Sequence, residues 1–328
     1  MKKRNRFLGF IYFVFLCSVF SCFAMETNNT EPYQPTMIFS LSEADELNKV
    51  GNNVEENEKK LFIFDIDLTT YVEKEKVKYV LEFDENISKV VSEEDYRFLG
   101  GQWERICAYF YDDQKNVELW CCLMLLGLLS KGAVQLIEEG TKEKPSTAQI
   151  INGLQVKGCK VIALTNQITL SENPIIKDLL QWRAGKLLSV GIDFNNNMKF
   201  YPCEDIIFHN LPANTGKSFA KYYKGIAMTA GWEKGIVLDE LLTLFKQETG
   251  WEPVEIVFFD DQKLNIESVQ KAVEKRRIKF QGYWYRGLER LWPLTFDRDI
   301  IRKQISHGLE NSVFLTSEEV KNQKSDEK

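Results

Sequence analysis

Histidine is nearly missing from this chain, with only His209 and His307 in 328 residues. Two histidines so far apart make a cysteine–histidine zinc site improbable. A serine hydrolase needs a histidine beside its nucleophile, and no Gly-x-Ser-x-Gly turn is present. A basic excess is missing too: 42 Lys and Arg stand against 48 Asp and Glu, for a formal charge of -6, with the basic residues spread among the acidic ones. Such a surface excludes nucleic acid as the expected partner. Beyond the N-terminus no long apolar run occurs, which excludes a multi-span membrane protein. Past that segment the cysteines are Cys107, Cys121, Cys122, Cys159 and Cys203. Their odd number and irregular spacing define no disulfide framework.

What remains is an ordinary soluble composition, 44% hydrophobic and 27% charged, with enough apolar material for a sizeable core. Lys2, Lys3, Arg4 and Arg6 precede an uncharged apolar run from Phe7 to Ala24 that closes on Cys22-Phe23-Ala24. That layout predicts a secretory signal peptide over residues 1–24 and an exported protein, periplasmic or secreted. Cleavage removes four positive charges, leaving 38 basic against 48 acidic residues and a formal charge of -10. Two competing readings are an uncleaved membrane anchor and acylation at Cys22; either would make the N-terminal segment the chain's contact with a membrane.

Three short apolar runs read as strands buried on both faces: Leu61–Phe64, Lys160–Leu164 and Glu255–Phe259. Helices precede the second and third. Ser146 is a natural N-cap for one that stops at Gly158, and Val237, Leu241, Leu244 and Phe245 give the other an apolar face ending near Gly250. The expected fold class is therefore α/β, a parallel sheet with helices on both faces, with ligands at the carboxyl ends of the strands.

The residues at those ends carry the chemistry. The first strand runs into Asp65-Ile66-Asp67-Leu68-Thr69, the second into Thr165-Asn166 and the third into Asp260-Asp261. Neighbouring carboxylates about 4 Å apart repel by about 4 kcal/mol per pair at an effective dielectric of 20, so the cluster calls for a cation. Hard oxygen donors without histidine favour Mg²⁺. In an Asp-x-Asp segment the two carboxylates share a side, so Asp65 can act as nucleophile and Asp67 as acid. A lysine is wanted to offset the phosphoryl charge. Lys234, heading the helix that feeds the third strand, is preferred to Lys217 in Gly216-Lys217-Ser218.

In this order the motifs resemble the haloacid dehalogenase (HAD) superfamily of phosphotransferases. Phe64-Asp65-Ile66-Asp67, Leu164-Thr165-Asn166 and Phe259-Asp260-Asp261 are most similar to an uncharacterised family of secreted HAD-like bacterial proteins, with a looser similarity to class B acid phosphatases. The resemblance implies a Rossmann-like core and a phosphoaspartyl mechanism. It implies Asp65 as nucleophile and Mg²⁺ ligand, and Asp67 as acid/base whose backbone carbonyl also meets the metal. It makes Thr165, Asn166 and Lys234 the phosphoryl-binding set, and Asp260 and Asp261 the acidic pair on Mg²⁺. Asn265 falls where the motif often carries a further polar residue. Leu68 departs from the pattern, at a position often filled by a small or acidic residue.

The 98 residues from Asp67 to Thr165 exceed any simple crossover, so an inserted, mainly helical cap is expected over 73–145. Tyr96, Trp103, Tyr109, Tyr111 and Trp120 are expected to pack its core around the apolar run Val117–Leu129. The core then occupies 25–72 and 146–310, Asp193–Tyr201 reads as a hairpin, and the charged tail 318–328 reads as disordered. The expected activity is Mg²⁺-dependent hydrolysis of a small phosphate monoester. A binding or host-interaction protein with little turnover, or a phosphotransferase or phosphomutase, would share the motifs. The lysine assignment separates by mutation: Lys234→Ala is expected to damage turnover far more than Lys217→Ala, and the reverse order would reassign the role.

Overall fold

The computed structural model describes residues 33–73, 92–113, 134–167, 178–195, 206–213, 219–287 and 297–326, with 127, 131, 169 and 176. The expected signal peptide, the run Val117–Leu129 (Gly127 apart), Cys121, Cys122, Cys203, Lys217 and most of the Asp193–Tyr201 hairpin lie outside them.

Alternation along continuous apolar runs builds the sheet. In β2 (Lys60–Phe64), Phe62 and Phe64 enter one core while Leu61 and Ile63 enter the other. In β5 (Lys160–Thr165), Val161 and Ala163 take the first side, and Ile162 and Leu164 the second. β9 (Glu255–Asp260) repeats this with Val257 and Phe259 against Ile256 and Phe258. Strands with two buried faces need helices on both sides. The helices α2 (Thr147–Val156) and α3 (Leu179–Ser189) cover one face, and α4 (Lys234–Thr249) and α5 (Lys263–Lys275) the other.

Among the described residues the sheet has eight strands, in the order β1-β10-β9-β2-β5-β8-β7-β6. Here β1 is Thr36–Ile38, β6 Ile206–Ile207, β7 Lys221–Tyr223, β8 Ile226–Met228 and β10 Lys279–Tyr285. The pairs from β1 across to β8 are parallel, and the β6/β7 and β7/β8 pairs antiparallel. This is a Rossmann-like α/β fold. The chain moves from the central β2 to β5 on one side and β9 on the other, so the strand order reverses at β2 and opens a crevice at its carboxyl end. An aromatic ladder holds the register there: Phe64 stacks on Phe259 at 4.8 Å, and Phe259 on Tyr283 at 5.1 Å.

Helix ends follow their sequence signals. Ser146 and Gln149 form a reciprocal capping box on α2, and Gly250 closes α4 in the left-handed region at φ 71°. Arg276 at the end of α5 is clamped by Asp239 and Glu252. Among the described residues Cys107 and Cys159 are thiols, and burial pushes that of Cys159 up to about 11, which keeps it inert. No described helix is long and apolar enough to cross a membrane.

The insertion leaves through β3 (Tyr71–Glu73) and returns through β4 (Val134–Leu136), an antiparallel pair starting four residues past Asp67. Its described helix is α1 (Glu93–Asp113), which buries Leu99 and Ile106 while Tyr109 stays 38% exposed. Its partner is α6 (Arg298–Asn311), through Arg298 to Glu94 and Asp95 and Arg105 to Ser306. The tail corrects the expectation of disorder: α7 (Ser317–Asp326) is a helix whose Val320 is fully buried. Thr316 and Glu319 cap it reciprocally, at 2.6 and 3.2 Å, and this box offsets the low apolar content of the segment.

Val320→Asp would leave a carboxylate unpaired in a closed site, at a cost of about 3–5 kcal/mol. Amide exchange over 317–326 is expected to be slow in the wild type and fast in this variant. Fast exchange in the wild type would show that α7 does not dock.

Candidate functional site

Pairing sets the site before any side chain is considered. Phe64 lies opposite Phe259 on one side and Ala163 on the other, and the Asp65 N–H donates to the Phe259 carbonyl at 2.9 Å. Asp65 therefore emerges level with Asp260, and Thr165 ends the neighbouring strand. Asp65, Thr165 and Asp260 are all buried.

Lys234, the first residue of α4, brings its ammonium between two of these acids. Its Nζ lies 2.5 Å from Asp65 Oδ1 and 2.7 Å from Asp260 Oδ2, and its side chain is only 2% exposed. The helix reaches this point because Gly235 has no Cβ: one would stand 2.1 Å from the Ser268 carbonyl of α5. Burial acts against the charge on Lys234, but Asp260 and Asp65 outweigh it and raise the pKa, so the group is an ammonium. Asp260 is held further by the Gln262 N–H at 2.8 Å and by Asn265 Nδ2 at 3.0 and 3.2 Å. The Thr69 hydroxyl lies 3.5 Å from Asp65 Oδ2.

Asp65, Asp260 and Asp261 can place one carboxylate oxygen each within 4.8 Å of one another. Burial pushes Asp65 up to about 7; Lys234 acts to lower it and Asp260 to raise it. Burial, Asp260 and Asp65 likewise hold Asp261 well above the usual carboxylate range. Asp65 is thus not fully ionised at neutral pH even with Lys234 as a counterion, unlike an aspartate in water. Among the described residues the three carboxylates face the ammonium of Lys234, and one divalent cation would balance the remaining two charges. The oxygen-only donor set also fits a hard divalent ion.

Two residues of the expected set stand apart from this cluster. Asp67 turns to α3, where Arg183 donates to its Oδ1 at 2.9 Å. Asn166 Oδ1 accepts from the Thr229 hydroxyl at 2.8 Å and the Gly231 N–H at 3.2 Å, fixing the loop that delivers Lys234. Between Asp65 and Tyr71 the chain turns with Leu68 left-handed at φ 63°, its N–H on the Tyr71 carbonyl at 3.1 Å. That conformation costs a leucine about 1–2 kcal/mol, which is why small or acidic residues suit the position better.

Sequence reasoning missed Arg183 and Gln167. The signal was an arginine on the buried stripe Leu179, Arg183, Leu187 of α3. An arginine on such a stripe must be paired inside the protein.

The raised pKa of Asp65 has a consequence for stability. Unfolded, the group ionises near 3.8, and folded near 7, so the native state carries the extra proton between these values. Stability from this group is present at low pH and falls as pH rises through that window. In chelator, Asp65→Asn is expected to gain on the wild type from about pH 4 to about pH 7, read from urea midpoints. A difference independent of pH would show that Asp65 titrates normally.

No curated protein and no solved structure matches the chain. One family, described as "Protein of unknown function (DUF2608)", matches residues 43–320, a span that holds all three strand-end motifs, the insertion and α6. The chain belongs to the DUF2608 family.

Proposed function

We propose that the chain is an exported, Mg²⁺-dependent phosphohydrolase of the HAD type that cleaves small phosphate monoesters through a phosphoaspartate on Asp65. The observation that carries the reading is the buried contact of the Asp65 carboxylate with the Lys234 ammonium at 2.5 Å, beside Asp260 and Asp261 at a strand-order reversal. A buried carboxylate held at a crevice by one lysine, among further acids, is poor design for stability alone. It suits a nucleophile that must be oriented and charged only when its partners are in place.

Asp65, Asp260 and Asp261, with the Asp67 backbone carbonyl, would hold Mg²⁺. A bound ion would supply the positive charge that keeps Asp65 ionised and offsets that of the phosphoryl oxygens. Asp65 attacks phosphorus as the bond to the leaving oxygen breaks, and Asp67 gives that oxygen its proton. Asp67 then takes a proton from water as the water oxygen attacks phosphorus, releasing inorganic phosphate and restoring Asp65. Lys234 and the Thr165 hydroxyl bind the phosphoryl group, and Asn166 contributes through the loop before α4.

Hydrolysis of p-nitrophenyl phosphate by the purified protein tests the reading. Turnover is expected with Mg²⁺ and not with chelator. Asp65→Asn is expected to lose it by at least about 10³-fold, while Asp260→Asn chiefly raises the Mg²⁺ concentration required. A folded, Mg²⁺-binding protein without turnover on this ester or on a panel of natural phosphate esters would point to a scaffold kept for binding.

A further inference from the structure

We infer that Arg183 is the positioning residue for the acid/base carboxylate of Asp67, an inference that rests on the phosphohydrolase reading. Asp67 lies outside the Asp65, Asp260 and Asp261 cluster, and its Oδ1 accepts from the Arg183 guanidinium at 2.9 Å. The arginine side chain is 6% exposed and the aspartate 37%, so a buried cation holds a partly open acid.

Arg183 is itself held on several sides. Its Nε donates to Gln167 Oε1 at 2.6 Å, and its Nη1 also donates to the Tyr71 hydroxyl. The guanidinium lies over the rings of Tyr71 and Trp182, at 5.6 and 5.2 Å from their centres. Gln167 follows the Thr165-Asn166 motif, and its carbonyl accepts the Ala230 N–H at 3.0 Å on the way to Lys234. One chain of contacts thus runs from the loop after β5 to the acid after β2.

Folding alone does not account for this. A buried ion pair rarely adds net stability over an apolar side chain of like size, and α3 offers leucines on the same stripe. What a guanidinium adds is direction. The terminal torsion of an aspartate is broad, so a carboxylate without such a partner rotates. A planar donor locked at a second nitrogen pins it, which a lysine could not do. With Oδ1 on Arg183, Oδ2 exchanges the proton with the leaving oxygen and then with water. Proton transfer is efficient only when that atom lies on the line of transfer.

The test uses phenyl phosphate and p-nitrophenyl phosphate, of closely similar shape but with leaving groups of different acidity. Nitrophenolate departs with little help from an acid, and phenolate needs the proton. Arg183→Gln is expected to lower the kcat/KM ratio of phenyl over p-nitrophenyl ester by about tenfold or more. Gln167→Leu, which keeps the buried cation and removes its lock, is expected to shift the ratio in the same direction by less. In an Asp67→Asn background, adding Arg183→Gln is expected to leave the ratio where Asp67→Asn alone puts it. Equal losses on both esters, or effects that add to those of Asp67→Asn, overturn the positioning role while Asp65-dependent turnover keeps the phosphohydrolase reading. A wild type that hydrolyses neither ester in an Asp65-dependent way overturns both.

Discussion

An ammonium buried between two carboxylates, Lys234 between Asp65 and Asp260, is the constraint to which the rest of the structure answers. Each group alone would be costly in so closed a site, and removing one partner leaves an uncompensated charge worth about 3–5 kcal/mol. The sheet register must bring Asp65 level with Asp260. The α4–α5 contact at Gly235 must be close enough to deliver Lys234. Asn166 must hold the Thr229–Gly231 loop from which that helix starts. Each of these features is needed for one lysine nitrogen to stand between two acids.

The parts legible in the sequence were those with a strong local period or a hard chemical requirement. Leu61–Phe64, Lys160–Leu164 and Glu255–Phe259 announce central strands because both their faces are buried. The acids beyond them stand out only together, because carboxylates gathered at the ends of neighbouring strands repel and call for a cation. The three-residue strands β7 and β8 were not legible, since a run as short as Ile226–Met228 has no period and is a strand only because β5 lies beside it. Arg183 was hidden by its surroundings, a charge whose partners come from Asp67 and Gln167, distant in sequence. The tail was misread on composition: a single apolar residue, Val320, docks it, and the Thr-x-x-Glu box at Thr316 was the signal to weigh.

The helical material beside the core comes from two places in the chain. α1 belongs to the insertion, while α6 and α7 belong to the C-terminus, and Arg298 joins them through Glu94 and Asp95. Leu99 and Ile106 of α1 and Ile301 and Ile305 of α6 are buried outside the two cores that flank the sheet. The C-terminal residues are therefore part of whatever the insertion does, because the insertion's described helix leans on them.

The Trp284 indole donates to the carbonyl of Asp261 at 2.9 Å, one residue past the Phe64, Phe259 and Tyr283 ladder. Its ring is bound to the backbone of one of the acids that would meet a cation, and the Arg286 guanidinium lies 4.6 Å from its centre. Indole emission responds to nearby charge and to the polarity of its hydrogen-bond partner. The protein thus carries a built-in fluorophore at the edge of its acidic cluster, which makes occupancy of that cluster an optical signal without any added label.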